Sequence, residues 1–307
     1  MKISTGLYFD RSTQQLGGVQ ARLSKVQEQL STGLQIVKPS DAPDKASLVT
    51  RLESELARQT SYQDTLKSVN VRLTAEETAL KNTSDVMARI KELAVQAAND
   101  TVGAQDRQSI ALEMSNLKEQ ILSLANSQDS NGNYLFSGSR AGSPAFGKDA
   151  SGRVLYQGDQ ARMQVNVGDN RRMNMNMPGS DAFTRVVRDD GKGNKTGVDF
   201  FQSLDDLVAA VKTSDYKSIQ RGVGEVDTLQ NGISEGLGQI GADLTVVDLQ
   251  TNVLDQMVLR LKTTRSDVED LDYTEAITRM NKDQLALEAA QSSFAKISQL
   301  SLFKFLN

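Results

Sequence analysis

Apolar residues near the beginning of the chain repeat at alternating steps of three and four. The run consists of Leu16, Val19, Leu23, Val26 and Leu30. This spacing places the side chains on one narrow face of a helix, which is the seam of a coiled coil. A helix with such a seam must cover it with another helix, so the pattern restricts the chain to folds built from packed helices.

The first helix is predicted to end at a break, after which the same spacing returns. Gly33, Pro39 and Pro43 interrupt the pattern, since proline removes a helical hydrogen bond and glycine is typical of helix ends. Residues 46–98 predict a long second helix, and residues 110–124 resume the spacing after a short turn. A short turn between long helices implies an antiparallel hairpin.

The later part of the chain repeats this plan in reverse. Residues 200–262 predict helices, although the six glycines from Gly222 to Gly241 are unfavourable there unless they pack closely or interrupt the helix. The polar stretch from Thr263 to Asp272 predicts a break before a last helix. The apolar residues of that helix and of the chain end are Met280, Leu287, Phe294, Ile297, Leu302, Phe303, Phe305 and Leu306.

Residues 127–199 have a different character. Turn-forming Asn131-Gly132 and Gly138, and two alternating runs on either side of Gly168, predict a small antiparallel hairpin. We therefore predict a mainly α fold, a long antiparallel helical bundle or coiled coil formed by the N- and C-terminal arms, with a small mixed β insert domain. The predicted parts are a terminal segment 1–45, a bundle arm 46–126, the insert 127–199, a return arm 200–262 and a second terminal segment 263–307.

The composition argues against catalysis. The chain contains no His, no Cys and no Trp, so it lacks the usual proton shuttle, any thiolate nucleophile and any Cys-based zinc site. We predict no enzyme activity, no catalytic or metal site and no cofactor. The net charge of −4 provides no basic field for nucleic acid, and no apolar run is long enough to span a membrane. The first residues do not resemble a secretory signal peptide, which by itself favours the cytoplasm.

The helical seams can be interpreted as internal core or as interface. For residues 46–126 and 216–262 we prefer the core of a monomeric bundle. The two terminal helices differ, because the proline-containing linker and the polar stretch isolate each of them from the bundle. A lone helix of this length is marginally stable in water. The pattern therefore favours an interface with other chains at both ends.

Three local patterns resemble ligand or contact sites. Asp189–Asn194 has a superficial likeness to a calcium loop, but glycines and a lysine interrupt its oxygen ligands, so we interpret it as a surface turn. Glu269, Asp270 and Asp272 precede the last helix, where negative charge is favourable, and Asp272 is the predicted N-cap. The methionines Met163, Met173, Met175 and Met177 fit the inner face of the hairpin and an adaptable contact surface equally well.

Two stretches resemble the sequence motifs of the flagellin family. Near the beginning the residues are Leu30, Ser31, Gly33 and Asp41; near the end they are Asp270, Asp272 and Tyr273. Both lie where that family has them, so the resemblance covers roughly residues 1–135 and 215–307. Residues 1–5, 131–138 and 301–306 are similar to those members of the family that join the hook to the filament.

The resemblance implies a structural subunit of the bacterial flagellum. Such subunits form a ring of copies of themselves between a hook-side junction protein and flagellin, and they template flagellin polymerisation through segments equivalent to 1–45 and 263–307. The resemblance also implies export through the flagellar type III apparatus without a cleaved signal peptide, and so an extracellular location on the flagellum. A cytoplasmic export chaperone is expected on the C-terminal helix, near Phe294, Ile297 and Phe303. A filament flagellin and, less favoured, a cytoplasmic coiled-coil adaptor are the alternatives.

Overall fold

The computed structural model describes residues 2–189 and 195–303, with side chains described for residues 7, 9–189 and 195–296. Its helices are α1 Lys2–Thr32, α2 Pro43–Ala97, α3 Ala104–Ala125, α4 Gly179–Ala182, α5 Phe200–Thr213, α6 Tyr216–Glu269 and α7 Tyr273–Phe303. Its strands are β1 Phe146–Lys148, β2 Val154–Tyr156, β3 Gln164–Gly168, β4 Arg171–Asn174, β5 Val186–Asp189 and β6 Lys195–Val198. The predicted fold class, long helices with a small strand-containing insert, is confirmed.

The chain divides into two compact units. The terminal unit contains the described residues up to Gln59 and from Gln256 onward, and the central unit contains Thr60–Asp255. Helices α2 and α6 contribute residues to both units.

In the central unit, α2 and α6 run antiparallel. The side chain of Gln63 donates a hydrogen bond to Asp255 at 2.6 Å, and Lys91 pairs with Asp227 at 2.5 Å. Residue numbers therefore rise along one helix as they fall along the other. Six apolar residues along α2 are all buried in one core: Leu66, Val69, Leu73, Leu80, Met87 and Ile90.

The predicted hairpin of α2 and α3 is present as well. The turn between them is closed by Arg107, a buried side chain whose guanidinium donates to the carbonyl oxygen of Ala97 at 3.1 Å. Further from the turn, Arg89 pairs with Glu113 at 2.9 Å. These two contacts fix the antiparallel direction.

Two charged residues lie inside the seam of α2 and hold the insert. Arg72 donates to the carbonyl oxygens of Tyr134 at 3.1 Å and Leu135 at 2.9 Å, where the insert begins. Glu76, which is fully buried, accepts a hydrogen bond from the backbone N–H of Met177 at 3.1 Å. The two side chains thus provide hydrogen-bond partners for backbone groups of the insert.

Within its described residues, the insert contains three separate two-stranded antiparallel sheets, β1-β2, β3-β4 and β5-β6. The sheet β3-β4 is the predicted hairpin, with Val165 opposite Met173. Met173 and Met177 are buried, so this side of the hairpin is an inner face. A cluster of aromatic rings with centroid distances of 5.2 Å completes the core and consists of Phe146, Phe183, Phe200 and Phe201.

The break predicted over Thr263–Asp272 is wrong for most of its length, because α6 continues to Glu269. The hydroxyl groups of Thr263 and Thr264 donate to carbonyl oxygens one turn earlier, at 3.0 and 2.9 Å. Arg265 pairs with Glu269 at 3.4 Å along the same helix. The polar side chains are therefore satisfied within the helix that they were expected to interrupt.

The glycines of α6 do not interrupt the helix either. A β-carbon at Gly222 would lie 2.6 Å from Leu207, and one at Gly232 would lie 2.4 Å from Thr184. Of the two predicted explanations, close packing therefore applies at these positions.

Candidate assembly interface

The two terminal helices pack against each other. Val26, Leu271 and Ala276 are buried in a small apolar core, and Leu30 and Met280 pack beside them. The sequence predicts that each terminal helix lacks a partner within its own chain, and this prediction is wrong. Helix α7 covers one side of the apolar seam of α1. The segment that follows α1 and the segment that precedes α7 bring the two helices together.

Contacts along the pair show that α1 and α7 run antiparallel. The rings of Phe9 and Phe294 have centroids 4.7 Å apart, and Arg22 lies 3.5 Å from Asp283. The pair therefore begins in the first turns of α1 and includes the last part of α7 for which side chains are described.

The pairing leaves much of the predicted seam incompletely covered. Of the predicted interface residues with described side chains, only Val26 is buried. The others are half-buried: Leu16, Val19, Leu23, Leu30, Met280, Leu287 and Phe294. The side chains of Ile297, Leu302 and Phe303, and all of Phe305 and Leu306, lie outside the described residues. Their role in assembly stays a prediction.

Sequence reasoning missed four apolar residues that the same helices expose. Leu7, Phe9, Ile277 and Leu285 are 56, 48, 45 and 68% exposed. Phe9 lies one heptad before Leu16 and so continues the spacing of α1, which is the signal that could have revealed it, whereas the other three are not part of a predicted seam.

The two family-like motifs lie side by side. The backbone N–H of Leu271 donates to the carbonyl oxygen of Gly33 at 2.9 Å, and that of Gln35 donates to Glu269 at 2.7 Å. Leu34 and Asp270 thereby form an antiparallel bridge. Gly33 adopts φ of +72°, which ends α1 and turns the chain toward α7.

Each acidic motif residue is held by a local contact. Asp272 accepts the backbone N–H groups of Thr274 at 2.9 Å and Glu275 at 3.1 Å, so the predicted N-cap of α7 is confirmed. Asp270 accepts a hydrogen bond from the hydroxyl of Ser266. These contacts shape the turn between α6 and α7, and nothing in them requires a ligand.

Asp41 in the first motif has a comparable structural role. It follows Pro39 in a short 3₁₀ turn, accepts the backbone N–H of Lys38 at 3.1 Å, and pairs with Lys25 at 2.7 Å. The hydrogen bond from the Lys25 ammonium lowers the pKa of the Asp41 carboxyl. The linker between α1 and α2 is thus tied back to α1 by an ion pair. Ser31 is exposed.

Among the described residues, no group of three or more His, Cys, Asp or Glu side chains is arranged to hold a metal ion. Within the same part of the chain, no helix combines the length and the apolar character that crossing a membrane requires.

Comparison with known proteins gives matches at both ends of the chain. The sequence profile of the bacterial flagellin N-terminal helical region matches residues 2–141, and that of the bacterial flagellin C-terminal helical region matches residues 223–306. The flagellar hook-associated protein 3 of Salmonella typhimurium is 25% identical, with 99% of each chain covered. Its namesake in Escherichia coli is 27% identical, again over 99% of both chains.

Solved structures share the fold. FlgL of Xanthomonas campestris is 24% identical with a TM-score of 0.63, and the match covers 71% of this chain and 99% of that one. The flagellar hook-associated protein-3 of Legionella pneumophila is 15% identical with a TM-score of 0.63, covering 72% of this chain and 98% of that one.

Proposed function

Because the chain belongs to the bacterial flagellin family, we propose that it is the structural subunit that joins hook to filament, as a junction ring that templates flagellin polymerisation. The relatives matched over nearly their whole length are flagellar structural proteins named for their association with the hook. The observation that carries the proposal is the pairing of α1 with α7, which presents a half-covered apolar seam.

The physical basis of assembly would be completion of that seam. Each subunit covers one side of its own terminal helices, and neighbouring copies would cover the rest. Burial of apolar area contributes roughly 25 cal/mol per Å², so several half-exposed side chains per subunit supply a driving force. Contacts between different surfaces of successive copies generate a ring or an open helical array rather than a closed dimer.

The proposed partners are copies of the chain itself, the hook-side junction protein, flagellin and, before export, a cytoplasmic chaperone on the C-terminal helix. The proposed location is the extracellular flagellum, reached through the type III apparatus. No catalysis, cofactor or nucleic acid enters this function.

A matched pair of substitutions tests the seam. Leu23→Asp places a carboxylate on the half-buried seam, whereas Gln27→Asp places one on an exposed position a turn later. We expect Leu23→Asp to abolish incorporation into flagella while the purified protein keeps its central unit folded, and Gln27→Asp to be incorporated normally. Filaments completed with Leu23→Asp at the wild-type level would show that the seam is not the interface.

A filament flagellin is the second candidate, since flagellins of Treponema pallidum and Listeria monocytogenes match over 92 and 97% of this chain at 23 and 21% identity. Deletion of the gene separates the two functions. Loss of a junction subunit leaves hooks without filaments and secreted, unassembled flagellin. Loss of a filament subunit leaves hooks without that secreted flagellin.

A further inference from the structure

A cleft of about 350 Å³ opens in the terminal unit, between α1, α7 and the linker that joins α1 to α2. Its apolar lining includes Val26 and Ile36. Its charged lining consists of Arg22, Lys25, Lys45, Arg279, Asp41 and Asp283. Cations therefore outnumber carboxylates in the cleft.

The carboxylates of the cleft are already engaged. Asp41 pairs with Lys25 at 2.7 Å, and Asp283 lies 3.5 Å from Arg22. Lys45 donates to the neutral side-chain oxygen of Gln35 at 3.3 Å and has no carboxylate within 4 Å in the described chain. One ammonium group in the cleft thus lacks a counter-charge.

Arg279 is a second cation of the cleft whose hydrogen-bonding capacity is not fully used. Its Nε is buried and has no hydrogen-bond acceptor among the described residues. The carboxylate of Glu275, one turn earlier, is 3.7 Å away, which is too far for a hydrogen bond. Glu275 is the one carboxylate within 4 Å of Arg279 among the described residues, and the Arg279 side chain is 41% exposed, so its guanidinium can take a further acceptor from another molecule.

We propose that this cleft binds a carboxylate side chain of a second copy of the chain. A carboxylate would supply the negative counter-charge that the Lys45 ammonium lacks and a hydrogen-bond acceptor for the Arg279 guanidinium. Charge-assisted hydrogen bonds of this kind are strong and directional. The proposal rests on the proposed function, because terminal units of different copies meet only in the assembled structure. Such a charged contact would fix the orientation of one copy on the next, whereas an apolar seam alone does not specify an orientation.

The terminal unit offers a defined set of carboxylates for this contact. They are exposed, and within the described residues their side chains have neither a cation partner nor a hydrogen-bond partner: Asp10, Asp44, Glu53, Asp267 and Glu288. Contacts in a ring or helical array join different surfaces of neighbouring copies, so the donor and acceptor need not lie close together in one chain.

The first test is charge reversal in a strain whose own gene is deleted. Full-length Lys45→Glu is compared with Lys282→Glu, an exposed lysine of α7 outside the cleft. We expect Lys45→Glu to lower incorporation into purified flagella by about tenfold or more and Lys282→Glu by less than about twofold. Arg279→Gln, which keeps a polar side chain but shortens it and removes its charge, should lower it as well. Unchanged incorporation of Lys45→Glu would overturn the proposal.

The second test identifies the partner and controls for misfolding. Each of the five carboxylates is changed to Lys in the Lys45→Glu background, and restored incorporation by one of them identifies the neighbour's residue. Because the chain has no Cys, cysteines at position 45 and at the restoring position can be joined with a bismaleimide reagent without background, giving a covalent dimer from intact flagella. Failure of all five to restore incorporation would overturn a second copy as the occupant. Absence of the wild-type protein from flagella would instead contradict the proposed function.

Discussion

The hydroxyl oxygen of Tyr273 lies 2.8 Å from the place that a β-carbon on residue 33 would occupy, and that residue is glycine. Gly33 also has φ of +72°, in the region that side chains with a β-carbon disfavour. Two residues from opposite ends of the chain, each within a short family-like motif, are therefore complementary in space. Their contact closes the turn that brings α1 onto α7.

Gly33→Ala is expected to destabilise the terminal unit by about 1–2 kcal/mol, because alanine is disfavoured in this left-handed conformation; the Tyr273 hydroxyl, at the end of a 53% exposed side chain, also has to move aside. Tyr273→Phe in the same chain should recover the part due to the hydroxyl group. Hydrogen exchange of α1 and α7 measures the change. Gly17→Ala is the control, since a β-carbon there meets nothing within 4 Å; it should leave stability unchanged or raise it. Equal protection in Gly33→Ala and wild type would contradict the interpretation.

Two glycines of α6 should respond in opposite directions to the same change. Gly232→Ala forces a β-carbon to 2.4 Å from the Thr184 hydroxyl oxygen, whereas Gly238→Ala enters open space. Alanine is favoured over glycine in a helix by roughly 1 kcal/mol. Urea unfolding should therefore show Gly238→Ala to be more stable than wild type and Gly232→Ala to be less stable. Stabilisation by both would mean that Thr184 moves aside at little cost.

The buried carboxyl of Glu76 should make stability depend on pH. Burial raises its pKa from 4.5 to about 8, although Arg72 opposes the shift. Because the folded state holds this proton more tightly than the unfolded chain, the contribution to stability is present below pH 4.5 and is lost as the pH rises toward 8. Glu76→Gln cannot ionise. The free energy of unfolding of wild type, taken relative to Glu76→Gln, is thus expected to fall between pH 5 and pH 8. A constant difference between the two proteins across this range would show that the pKa is not raised.

Two arginines near β5 provide a comparison of buried and exposed ion pairs. Arg188 donates to both carboxylate oxygens of buried Glu225, at 2.6 and 2.7 Å, whereas Arg185 pairs with Asp199 at the surface with its side chain 72% exposed. Arg188→Met should cost about 3 kcal/mol, because Glu225 keeps only Arg221, 3.4 Å away, as a cation partner. Arg185→Met should cost less than about 1 kcal/mol.

Thermal or urea unfolding of the two variants measures the difference. Replacing Glu225 with Met in the Arg188→Met chain should recover much of the loss, since the uncompensated charge is then removed. A loss of equal size in both single variants would indicate that burial does not control the strength of these pairs.

Local pattern was sufficient for the helices but not for their contacts. The spacing of Leu16 to Leu30 predicts α1, because a helix repeats every 3.6 residues whatever lies around it. The same reasoning failed at Thr263–Asp272, where polarity was interpreted as a break. Hydroxyl and ion-pair contacts within α6 satisfy those side chains, and composition alone does not distinguish a polar helix from a loop.

The sequence by itself determined the helical class, the position of the insert, the N-cap at Asp272 and the absence of the residue types that most enzymes need. Only the tertiary structure decided that α1 pairs with α7, that Gly33 receives Tyr273, and that Arg72 and Glu76 hold two separate points of the insert. The physical reason is the range of the interactions. Helical periodicity and capping act within a few residues, whereas each of the other contacts joins segments far apart in the chain and depends on how complete helices pack.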